Sequence, residues 1–257
     1  MFLRKYGVRK AYRMKLSYTE IFKYSDILNP VSPTTLLLAG ELAQLGPKKT
    51  VLDLGSGKGF PSLLWASVFG VRVEGFDVNK NYVKYANSRA KMLNLSRRVE
   101  YLCGDIREPR LSRKYDVVAS LGLGIAQIYG SNADALRVFK TMLHKDGVLV
   151  LAEPVWLVKP VSSKVLKALG EVEDSLPTKP EMQELLRKSE FQELGNFVSS
   201  KEDWEIYTRP TYIAMQEIIE SKSKLAEEAQ GVINSFRAEY DAVGQHWNMV
   251  LWVVKSR

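Results

Sequence analysis

Residues 50–59 read Thr-Val-Leu-Asp-Leu-Gly-Ser-Gly-Lys-Gly, an apolar run that carries Asp53 near its end and gives way to Gly55, Gly57 and Gly59. A short apolar run bounded by glycines reads as a buried strand, and the stretch at 60–69 reads as a helix. Turning from strand to helix within a few residues requires backbone angles that glycine reaches without strain, and it leaves free N–H groups at the helix start. Strand, tight turn and helix in that order open a βαβ unit. The spacing therefore predicts an α/β fold around a parallel sheet.

The rest of the chain repeats this alternation. Strands are expected at about 71–76, 98–102, 115–120 and 147–152, with helices at 79–93 and 132–144, which places helices on both faces of the sheet. Two helical runs, Ser17 to Asn29 and Thr34 to Leu45, precede the first strand. Beyond 152 come helices near 163–170 and 180–189, a strand near 192–199, a long helical region at 210–243 and a last strand at 248–255. No repeat or low-complexity segment divides the chain. Residues 1–257 are read as one domain: a basic arm and helices at 1–45, a core at 46–200, a helical insertion or lid at 201–247, and a final strand at 248–257.

Composition narrows the chemistry. Apolar residues make up 46% and charged residues 26%, as in an ordinary folded domain. The single cysteine, Cys103, excludes an intramolecular disulfide and a cysteine metal cluster, and two distant histidines argue against a histidine site, so no metal is expected. The longest apolar stretch, around Val148 to Val158, contains Glu153 and is too short to span a bilayer. Without a secretory signal pattern, a cytoplasmic location is expected. Of the net charge of +8, six units come from Arg4, Lys5, Arg9, Lys10, Arg13 and Lys15, with no acid among the first 15 residues. Such an arm suits nucleic acid or an anionic surface, or is simply solvated.

The glycine turn admits three ligand classes. A phosphate-binding P-loop requires Ser or Thr after Gly57-Lys58, where Gly59 stands, and its leading glycine is missing. A dinucleotide turn requires a third glycine where Phe60 stands, and it would set Asp53 beside a pyrophosphate of the same charge. A ligand carrying an ammonium in place of a phosphate suits Asp53.

Asp53, Gly55, Gly57 and Gly59 together resemble the Asp-x-Gly-x-Gly-x-Gly motif of class I S-adenosylmethionine-dependent methyltransferases. The resemblance covers about residues 45–155 and implies a Rossmann-like fold with a mostly parallel seven-stranded sheet, helices on both faces and a helical cap. It implies S-adenosylmethionine as cofactor and S-adenosylhomocysteine as product. The cofactor would be held by Asp53, Gly55, Ser56, Gly57 and Gly59, with Asp77 and Val78 at the ribose. Asp105 and Ile106 would hold the adenine, and Ser120 and Leu121 would stand near the transferring methyl group.

The acceptor is less legible. Ser120-Leu121-Gly122-Leu123 replaces the Asn/Asp-Pro-Pro-aromatic signature common among enzymes that methylate base amino groups or glutamine amides. Cytosine C5 methylation needs a cysteine nucleophile, and Cys103, at the end of the third strand beside the expected adenine pocket, is a poor candidate for one. Glu153-Pro154-Val155-Trp156 and the late aromatic helices resemble the ubiquinone-biosynthesis-type, or type-11, small-molecule branch. In that branch an N-terminal helix closes over the cofactor, which places Tyr18, Tyr24 or the Asn29 to Ser32 turn nearby. Glu153, Trp156, Trp204 and Tyr207 are therefore candidates for the substrate pocket. Glu153 and His246 are candidates for a general base, although methyl transfer needs no dedicated one. Tyr212, Tyr240 and Trp247 belong to the same aromatic group, as pocket or as core. The reading is an enzyme acting on a small molecule at nitrogen, oxygen or carbon. An RNA methyltransferase using the basic arm, or a cofactor-binding regulator without turnover, are the alternatives.

Overall fold

The computed structural model describes residues 15–107, 111, 113–169 and 176–257. The basic arm expected over 1–15 lies outside them except for Lys15. Among the described residues seven strands form one sheet: β1 (Thr50–Leu54), β2 (Arg72–Asp77), β3 (Val99–Cys103), β4 (Tyr115–Leu121), β5 (Leu143–Trp156), β6 (Phe191–Val198) and β7 (Trp247–Ser256). Their order is β3-β2-β1-β4-β5-β7-β6, parallel from β3 to β5, with β7 antiparallel to both neighbours.

The sheet is covered on both faces, which is why its central strands bury mostly apolar residues on both sides. In β1, Val51 enters one hydrophobic cluster while Leu52 and Leu54 enter the other. The helices after β1, β2 and β4 are α3 (Phe60–Phe69), α4 (Lys80–Met92) and, after a short α5 (Ile125–Tyr129), α6 (Asn132–Met142). Ser131 caps α6 by accepting from the Asp134 N–H at 3.0 Å. Helices α7 (Ser163–Leu169) and α8 (Lys179–Lys188) lie between β5 and β6. Among the described residues no helix is long and apolar enough to cross a membrane.

Two expectations are corrected. The helix expected over Ser17 to Asn29 is only one turn, α1 (Tyr18–Ile21), started by a Ser17/Glu20 capping box. Residues 22–32 then run as a strap to α2 (Pro33–Leu42). Pro30 disfavours helix at Asn29, and the Asn29 side chain instead donates to the Leu121 carbonyl at 3.0 Å. The helical region expected at 210–243 begins earlier, at Lys201, and consists of two helices, α9 (Lys201–Glu220) and α10 (Ala226–Ala242). A capping box of Ser200 and Asp203 starts α9 upstream of Pro210, which lies inside the helix. As expected, these helices stand between the last two strands. Helix α5 was not foreseen.

Candidate functional site

Strand order reverses between β1 and β4, and the two βα loops that leave their carboxyl ends go to opposite sides of the sheet. A crevice opens at such a switch point. Here it measures about 490 Å³ and is walled by the loop after β1, the ends of β2 and β4, the segment after β3, and the strap from α1.

Every part of the glycine turn has a physical reason. Gly55 and Gly57 adopt left-handed angles, with φ of 68° and 54°. A Cβ on Gly55 would overlap the Leu123 side chain, and one on Gly57 would come within 2.7 Å of Leu28 Cδ1. The Gly57 N–H donates to Asp77 Oδ2 at 2.9 Å, and Asp77 Oδ1 accepts from the Asn79 N–H at 2.8 Å. Burial nevertheless holds the Asp77 carboxyl above its ordinary pKa, against the pull of those two N–H donors. Asp53 is buried and accepts from the Ser62 hydroxyl. Its carboxyl is pushed up to about 6, first by burial and further by the charge of Asp77, with the Ser62 bond opposing. Ser56 is also buried on this wall, and its Oγ has no hydrogen-bond partner among the described residues. Asp105 lies at the exposed rim, gripped by Arg107 Nε at 3.0 and 2.9 Å, which lowers its pKa.

Residues 45–224 match the family described as a methyltransferase domain. The chain belongs to this methyltransferase family. It is 26% identical over 196 residues to YjhP of Escherichia coli (strain K12), described as uncharacterized, covering 76% of this chain and 78% of that protein. Its fold matches that of a SAM-dependent methyltransferase from Geobacter sulfurreducens, solved with S-adenosylhomocysteine, at a TM-score of 0.85. That match has 23% identity and covers 93% of this chain and 97% of the other. A SAM-dependent methyltransferase from Thiobacillus denitrificans, also solved with S-adenosylhomocysteine, gives a TM-score of 0.84 at 24% identity, covering 95% of this chain and 100% of the other. The Rossmann-like fold read from the sequence is the fold of this methyltransferase.

The structure gathers nine of the eleven residues expected at the cofactor onto the crevice wall: Asp53, Gly55, Ser56, Gly57, Asp77, Val78, Asp105, Ile106 and Leu121. Gly59 and Ser120 are not on it. The left-handed Gly59 (φ 79°) leaves room for Tyr101 instead, and Ser120 is buried within β4. Tyr18 of α1 and Asn29 of the strap line the crevice; Tyr24 is exposed and donates to Glu217 Oε1 at 2.6 Å.

The substrate candidates are placed differently from expectation. Glu153 is buried behind the crevice, where its carboxylate accepts from the Gly124 N–H at 2.9 Å and the Ile125 N–H at 3.3 Å. It caps the start of α5, which satisfies free helix N–H groups with a negative charge. Trp156, Trp204, Tyr207 and Trp247 are fully buried. Trp204 Nε1 donates to Asn248 Oδ1 at 2.9 Å, and its ring meets the edge of Trp247 at 5.1 Å. Tyr207 stacks on Phe22 at 6.1 Å and packs at a tilt against Phe236 at 5.5 Å. These aromatics form the core that joins α9, α10, α1 and β7. Tyr212 is partly buried against that core, and Tyr240 donates to Glu205 Oε1 at 3.0 Å on the surface. His246 is not on the crevice wall and makes backbone bonds to Ala242 and Leu157.

Several wall residues escaped the sequence reading. Phe22, Asp26 and Leu28 arrive on the strap, Tyr82 on α4, and Gln127 and Ile128 on α5. Lys58 was in plain view between two glycines. Its side chain is buried, its Nζ donating to the Phe22 carbonyl at 2.7 Å and to the Lys23 carbonyl at 3.3 Å.

Proposed function

We propose that this methyltransferase binds S-adenosylmethionine in the crevice after β1 and transfers its methyl group to a small-molecule acceptor at nitrogen, oxygen or carbon. The observation that carries the reading is the closure of the glycine turn onto Asp77 at the switch point, in a chain of this family. The wall fits the cofactor chemically: a backbone free of Cβ atoms at Gly55 and Gly57, a buried Ser56 hydroxyl with no partner among the described residues, and acidic groups spaced along it.

Bound there, S-adenosylmethionine supplies a methyl group activated by its sulfonium. Asp77 is assigned to the ribose hydroxyls, and Asp53 to the amino group of the amino-acid end. Ile106 packs on the adenine ring, and Asp105 accepts from the adenine amino group while keeping its bond to Arg107. Leu121 stands at the methyl-facing end. With the cofactor held there, an electron pair of the acceptor, a lone pair on nitrogen or oxygen or a carbon nucleophile's electrons, would take up the methyl group as its bond to sulfur broke, the acceptor's proton passing to solvent. Positioning supplies most of the acceleration in such a displacement. Helices α9 and α10 brace the strap that covers the crevice, through Glu217 on Lys23 and Tyr24 and through Tyr207 and Phe236 on Phe22.

The test is calorimetric titration with S-adenosylmethionine, S-adenosylhomocysteine and NAD, followed by transfer of a labelled methyl group to metabolite pools and to RNA. Binding of the first two alone, with label entering metabolites, is the expected outcome. NAD binding in their place overturns the site, and label entering RNA alone overturns the acceptor class.

A further inference from the structure

Lys58 combines features that seldom meet: a charged side chain, burial, and a place on the wall of a ligand crevice. Its ammonium makes two hydrogen bonds to carbonyls and lies 5.0 Å from the centre of the Tyr85 ring. None of these partners carries a full negative charge. The nearby Asp26 carboxylate is held by Arg89 and by the Tyr85 hydroxyl at 2.8 Å. Asp26 raises the Lys58 pKa, whereas burial, the largest influence, and Arg89 lower it.

An ammonium has three donors, and two are used here. Burying a charge without an opposite one costs several kcal/mol unless the site gains from it. Arg107, the other cation on this wall among the described residues, is bound to Asp105 after β3, on the side assigned to adenine. Lys58 follows β1 and faces the strap, on the side left to the amino-acid end.

We propose that Lys58 binds the carboxylate of the cofactor's amino-acid end and, through the same ammonium, pins the strap at Phe22 and Lys23 across the crevice. This rests on the S-adenosylmethionine site proposed above. Lys58 is thus a positioning residue that links occupancy of one end of the crevice to closure of its cover.

The test uses the full chain and calorimetry with two ligands, S-adenosylhomocysteine and its decarboxylated analogue, which keeps the amine. In the wild type the first should bind tighter by roughly 10- to 150-fold, the worth of a hydrogen bond to a charged group. Lys58→Met should weaken S-adenosylhomocysteine by a similar factor and the analogue by less than about threefold, and Lys58→Arg should recover part of the loss. Equal wild-type affinity for the two ligands overturns the inference without any variant. So does a Lys58→Met protein that weakens both ligands alike, the mark of a structural pin, or that changes neither. Failure of the wild type to bind either ligand removes the cofactor site itself, and this inference with it.

Discussion

The Tyr101 hydroxyl donates to the backbone carbonyl of Gly59 at 2.9 Å, and a Cβ added to Gly59 would stand 2.5 Å from that same oxygen. The third glycine of the turn is therefore required by the packing of β3 beneath α3. Gly59→Ala combines a left-handed backbone with a clash, and should destabilise the fold by roughly 2–4 kcal/mol. Chemical denaturation reads this directly. The folded fraction should keep near-normal affinity for S-adenosylhomocysteine, and a selective loss of affinity would return Gly59 to the ligand wall.

Asp77→Ala removes the acceptor of the Gly57 and Asn79 N–H groups and the residue assigned to the ribose. Affinity for S-adenosylhomocysteine should fall by roughly ten- to a hundredfold. Unchanged affinity in calorimetry would defeat that assignment.

Asp53 makes stability depend on pH. Its folded pKa of about 6 exceeds the unfolded value of about 3.9, so between these values the folded state binds more protons. Stability from this group is greatest below about pH 4, declines as pH rises to about 6, and is then flat, a fall of about 3 kcal/mol. Asp53→Asn should remove that component of the slope. Because the ionised carboxylate is assigned to the ligand's ammonium, affinity for S-adenosylhomocysteine should rise from pH 5 to 7 in the wild type and stay level in Asp53→Asn. Titrations at several pH values decide between these outcomes.

Glu153→Gln tests a residue that sequence reasoning placed at the substrate. As a helix cap, its loss should cost about 1 kcal/mol in denaturation. Turnover of any acceptor that the wild type methylates should change by less than about threefold, well under the barrier increase caused by losing a general base. A hundredfold drop in turnover with normal stability would restore the catalytic role.

Trp204→Ala empties a fully buried site between Tyr207 and Trp247. The expected cost is about 3–5 kcal/mol. A stable variant altered only in acceptor preference would show instead that the cap opens this residue to substrate.

The alternation of strands and helices, the turn after β1, and nine of the residues on the crevice wall are legible in the sequence. These features are local: a glycine turn, an acidic residue at a strand end and a period of two or 3.6 are set by neighbours along the chain. Tertiary structure alone decided which residues close the crevice. Helical periodicity puts Trp204 and Tyr207 on one face of α9 but does not say whether that face meets ligand or α10. Glu153 was legible as a strand-end acid, yet its partners lie at Gly124 and Ile125, at the start of a helix that the sequence did not announce. Lys58 meets the Phe22 and Lys23 carbonyls across more than thirty residues of chain. Such contacts depend on where the strap crosses the sheet, a matter of long-range packing that no local pattern encodes.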